Sequence, residues 1–102
     1  MIKHIVLTRF RADVSEATIT EIYAGLARVT ERLEGATGFH GGRSTSPEKI
    51  ERGYMHGFSI DFDSFDDLAT YSADAEHKRW GAEIVAHAEG GIDGVLVLDI
   101  EA

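Results

Sequence analysis

The chain has 102 residues, eighteen acids against ten bases for a formal net charge of −8, 43% hydrophobic residues and no cysteine. That is the length of one domain, with a small core that gains from a partner. The acidity argues against nucleic acid or anionic lipid as partners, and the missing thiol removes disulfides, thiol nucleophiles and zinc-finger chemistry.

The start, Met1-Ile2-Lys3-His4, does not read as a signal peptide, because its apolar stretch breaks at Thr8 and Arg9. No stretch approaches the roughly 20 apolar residues of a membrane span. The expectation is a single cytoplasmic domain over 1–102 with no membrane contact.

Residues 2–11 read as a strand, with His4, Val6, Thr8 and Phe10 on one face and Ile5, Leu7 and Arg9 on the other. Residues 15–34 read as a helix capped by Asp13 or Ser15. Its apolar stripe is Ile19, Ile22, Tyr23, Leu26, Val29 and Leu33, and Gly35 is its stop. Gly25 inside it costs about 1 kcal/mol against alanine and so marks either close packing or open space.

A strand over 38–45 is weakened by paired glycines, and Ser46-Pro47 through Gly53 forms a loop. Residues 54–62 form a strand with a bulky face (Tyr54, His56, Phe58, Ile60, Phe62) and a small one (Met55, Gly57, Ser59, Asp61). Ser64 caps a short helix holding Phe65, Leu68 and Tyr71. Asp74 caps another that runs to about Ala88, and Gly90-Gly91 stops it. Residues 94–100 are apolar without alternation, which predicts a strand buried on both faces.

The order β-α-β-β-α-β predicts an α+β, ferredoxin-like protomer: a four-stranded antiparallel sheet with helices on one face. The opposite face carries Ile5, Leu7 and half of the last strand, and an apolar face of that size predicts a homodimer with two sheets face to face.

Candidate chemistry centres on 71–81. At about 100° per residue, His77, Gly81, Ile84 and Ala88 lie within about 40° of one another, so His77 points inward from the first turn of its helix. Burial and the positive end of the helix dipole both disfavour imidazolium there, leaving a neutral imidazole able to act as general base. Tyr71 faces the same pocket only if the helix breaks between the two residues, and the Asp74 cap supplies that break. A phenol there could orient a substrate oxygen or stabilise an enolate.

His4 and His56 occupy the same relative place on two strands, both on the helix-side face, and three inward histidines are expensive unless paired. No His-x-x-x-His or other tight metal-ligand spacing is present. The acidic run Asp61, Asp63, Asp66, Asp67 lacks the glycine and terminal glutamate of a calcium loop. His40-Gly41-Gly42-Arg43 lacks a phosphate-loop context, and His87 sits where a helix C-terminus favours a cation.

Lys3-His4-Ile5-Val6-Leu7 with Phe10, Gly53-Tyr54-Met55-His56 with Phe62, and Tyr71 six residues before His77 together resemble the Dabb family, the stress-responsive dimeric α/β barrels. The resemblance spans the chain and implies a ferredoxin-like protomer whose two sheets form a central barrel in a homodimer. A plant polyketide cyclase of that family closes its substrate by aldol chemistry without metal or organic cofactor. Its catalytic tyrosine and histidine correspond to Tyr71 and His77, and its pocket histidine to His4.

Val6, Thr8, Tyr23, Leu26, Phe58 and Trp80 match pocket-lining positions, and His56 joins the candidate binding set. The chain departs from the pattern at Asp74-Ala75-Glu76-His77, where the family often has His-Pro-x-His. It also departs at Leu26 and Ala88, where the cyclase has aromatic residues. The implied function is cofactor-free lyase, isomerase or cyclase chemistry on a small hydrophobic carbonyl compound. The alternative is a non-catalytic stress-responsive binding module.

Overall fold

A computed structural model describes residues 1–102. The elements run β1 (Ile2–Thr8), α1 (Glu16–Arg32), β2 (Ala36–Arg43), β3 (His56–Phe62), α2 (Phe65–Ala73), α3 (Ala75–His87), a 3-10 turn (Gly91–Gly94) and β4 (Val95–Glu101). The sheet order is β2-β3-β1-β4, with all neighbours antiparallel. This is the ferredoxin-like arrangement expected from the element order.

Local chemistry fixes the helix starts. Ser15, not Asp13, caps α1, its hydroxyl accepting from the Thr18 N–H at 3.1 Å. Ser64 caps α2 through the Asp67 N–H at 3.2 Å, and Asp74 caps α3 through the His77 N–H at 3.1 Å. Each cap satisfies a backbone donor that the first helical turn leaves unpaired. Asp74 also terminates α2, so the break between Tyr71 and His77 is real. No helix is long and apolar enough to cross a membrane.

Alternation places the core. Ile2, His4, Val6 and Thr8 on β1 and His56, Phe58, Ile60 and Phe62 on β3 are buried beneath the helices, joined by Ile19, Ile22, Tyr23, Leu26 and Val29 of α1. Trp80 and Ile84 bring α3 onto the same core. At Gly25 a Cβ would overlap the Trp80 indole, so the glycine admits the ring against the backbone of α1.

Three expectations need correction. Residues 94–100 are not buried on both faces: β4 is an edge strand, and Leu96, Val97, Leu98 and Ile100 remain 45–55% exposed in the protomer. The strand does alternate, with Val95, Val97 and Asp99 opposite the inward residues of β1, and Leu96, Leu98 and Ile100 opposite Leu7, Ile5 and Lys3. The first strand ends at Thr8, and Phe10 keeps only an isolated bridge to Ala88. The second strand begins at Ala36 and bulges between Thr37 and His40, where Gly38 takes a positive φ of 66°.

Candidate active site

His4 reaches the site from the middle of β1, where alternation turns it beneath the helices. Its Nδ1 lies 2.6 Å from Asp99 Oδ1, and the two residues are opposite each other in the β1–β4 register. A carboxylate oxygen accepts, so the imidazole donates through Nδ1 and Nε2 is left without a protein partner. Asp99 therefore fixes the ring's orientation and tautomer, as an outer partner does for a working histidine. The sequence reading passed over Asp99. Its signal was the inward alternation of Val95, Val97 and Asp99, hidden because Leu96, Leu98 and Ile100 on the other face are equally apolar.

His77 enters from the first turn of α3. Its Nδ1 lies 3.3 Å from the Ser72 carbonyl, which can only accept, so here too Nε2 stays free. Burial holds the imidazole below its ordinary pKa of 6.5; the Ser72 bond opposes that shift, and the neighbouring His4 reinforces it. His77 is thus neutral at pH 7, with its lone pair on Nε2.

Tyr71 packs between the two imidazoles, with ring centroids 4.1 Å from His77 and 5.8 Å from His4, and it meets Phe62 at 5.0 Å. The residue is fully buried, and its hydroxyl has no partner in the protein. Burial, then the nearby Asp74 charge, pushes its pKa well above the usual phenol range, so the group remains a donor. Asp74 is itself engaged: Arg32 Nη2 donates to both of its oxygens at 2.9 and 2.8 Å. That pair fastens the N-terminus of α3 to the end of α1.

His4 and His77 open onto one cavity of about 410 Å3 between β1, β4 and α3. Val6, Leu26 and Phe58 line it, and Ile84, Val85 and Val97 extend an apolar wall.

Four predicted lining residues lie elsewhere. Thr8 is fully buried with an unpartnered hydroxyl, and Tyr23 faces Phe39 and Phe58. Trp80 is spent on filling the space above Gly25. His56 sits at the opposite end of the sheet, for β1 and β3 run antiparallel and pair His4 with Ile60 and His56 with Thr8. Its Nε2 meets the Glu16 carboxylate at 2.9 Å, so it is a satisfied histidine of a separate polar group, which Arg43 completes with a 3.0 Å bond to Glu16. The expectation that His4 and His56 share one pocket is thereby corrected: His56 opens β3 and, because the strands are antiparallel, lies beside Thr8 at the end of β1 and away from His4.

The family model described as the Stress responsive A/B Barrel Domain (Dabb) matches residues 2–102. The stress-response A/B barrel domain-containing protein HS1 of Arabidopsis thaliana is 33% identical over 98 residues, covering 96% of this chain and 86% of that protein. A dimeric ferredoxin-like protein of unknown function from Jannaschia sp. CCS1 superposes with a TM-score of 0.92 at 30% identity, over 99% of this chain and 98% of that one. A hydroxynitrile lyase from Passiflora edulis shares the fold with a TM-score of 0.83 at 20% identity, over 97% of this chain and 90% of its own.

Proposed function

The chain belongs to the stress-responsive A/B barrel (Dabb) family, and from that premise we propose that it binds a small hydrophobic carbonyl compound and moves a proton on it without a cofactor. The observation that carries this reading is the pair of imidazoles, each with one ring nitrogen anchored and the other free, on one apolar cavity. His77 is the base: neutral at pH 7, it has Nε2 available to take a proton from carbon next to a carbonyl. His4 binds the carbonyl oxygen in its doubly protonated form, in which Nδ1–H donates to Asp99 and Nε2–H donates to the oxygen of the developing enolate. The hydroxynitrile lyase of the same fold is an example of an enzyme built on this scaffold, and it lends the fold alone.

A direct assay is exchange of the α-protons of octan-2-one in D2O, followed by NMR. The wild-type protein should accelerate exchange, with an acid limb below pH 6.5, since protonation of His77 removes the base and its pKa is depressed. His77→Ala should lose at least about tenfold in rate together with that limb. Retention of the wild-type rate would remove His77 as the base.

A non-catalytic binding module is the second reading. It is favoured by the Tyr71 hydroxyl, which is closed off from solvent behind the imidazoles. Octan-2-one that binds but exchanges no faster than in buffer would select it.

A further inference from the structure

The cavity wall carries one group that proton transfer does not use. Lys78, next to His77 on α3, lines the same space, and it is the only lysine or arginine there. No aspartate or glutamate lines the cavity, in a chain where acids outnumber bases eighteen to ten. Five of the ten bases, Lys3, Arg9, Arg11, Arg32 and Arg43, pair with carboxylates. Lys78 does not, although Asp74 precedes it by one helical turn: that carboxylate is held by Arg32, as Asp99 is held by His4. Lys78 is therefore an exposed lysine without an ion pair that contributes to the lining of an apolar cavity. The net charge of −8 would otherwise keep anions away.

We infer that the ligand is an amphipathic carboxylate, a carbonyl compound ending in an ionised acid group that pairs with Lys78. Its apolar tail lies along Ile84, Val85 and Val97, and its carbonyl faces the two imidazoles. The inference rests on the proposed function and narrows its substrate class from neutral carbonyl compounds to oxo acids. A cavity of about 410 Å3 is within the ordinary range for small-molecule sites. The ammonium selects charge, while the lysine stem adds to the apolar wall.

The test compares two probes of equal carbon number, octanoate and octan-2-one, by calorimetric titration of the full chain at pH 7 and low salt. Wild-type protein should bind octanoate about fivefold more tightly, and the preference should shrink as salt is added. Lys78→Met keeps the stem and the helix propensity. It should abolish the preference by weakening octanoate about fivefold, whereas Lys78→Arg should retain the preference. Equal affinities in the wild type, or a preference that survives in Lys78→Met, would overturn the inference and leave the proposed function standing. Failure of both probes to bind would overturn the proposed function itself.

Discussion

At the residue scale, the site is built from side chains whose polar atoms are only half satisfied. His4 and His77 each spend one nitrogen on a fixed acceptor, and the Tyr71 hydroxyl has none. An unpartnered buried hydroxyl costs about 1–3 kcal/mol in lost hydration, so folding alone would favour phenylalanine at position 71. Tyr71→Phe should accordingly raise stability by about 1 kcal/mol in chemical denaturation. Because that hydroxyl is closed off behind the imidazoles, octan-2-one exchange should stay within about twofold of the wild-type rate in the same variant, and a roughly tenfold loss would show that the phenol reaches the ligand. A gain in stability with a loss of rate marks a group kept for function. Lost stability would instead reveal a structural hydrogen bond. The inward placement of His77 was legible from helical spacing, but its anchor on Ser72 was not, since that bond spans the break between two helices.

At the scale of elements, capping chemistry is what a sequence displays most directly. Ser64 and Asp74 were readable because a short polar side chain ahead of a helix is placed to accept from the N–H three residues on. Gly25 was readable as either a close approach or open space, and the structure decides for the first and supplies the partner. The Trp80 ring expected in the ligand pocket is the one that fills it, because α1 and α3 meet there. Two effects oppose each other in Gly25→Ala. Helix propensity gains up to about 1 kcal/mol, and displacing the indole costs roughly 1–3 kcal/mol. The variant should lose about 1–2 kcal/mol, with a less than additive loss when combined with Trp80→Phe. Urea denaturation of the four proteins measures this, and a stabilised Gly25→Ala would show that the ring moves freely.

At the scale of the whole molecule, the protomer leaves one side of its sheet uncovered. Ile5 and Leu7 of β1 face outward beside Leu96, Leu98 and Ile100 of β4, while Gly57 opposite Leu7 keeps the neighbouring surface low. The size of this apolar sheet face predicts that a second copy covers it, and the Jannaschia protein of the same fold is dimeric. Leu98→Asp, which places a charge opposite Ile5 at the centre of that face, should yield a monomer in sedimentation analysis. Its thermal midpoint should be lower and independent of concentration, whereas the wild-type midpoint should rise with concentration. A variant that remains dimeric would move the interface elsewhere.

The sequence by itself determined the order of the elements, the caps of α2 and α3, the inward faces of β1, β3 and α1, and the inward place of His77 in its helix. Each follows from periodicity or capping within about a dozen residues, where backbone geometry leaves little choice. Only the tertiary structure decided which inward residues meet. Antiparallel pairing sent His56 to Glu16 at one end of the sheet and left His4 with Asp99 and His77 toward the other. Helix packing spent Trp80 on Gly25, and sheet order made the apolar last strand an edge. Those outcomes depend on contacts between residues far apart in the chain, which no local pattern encodes.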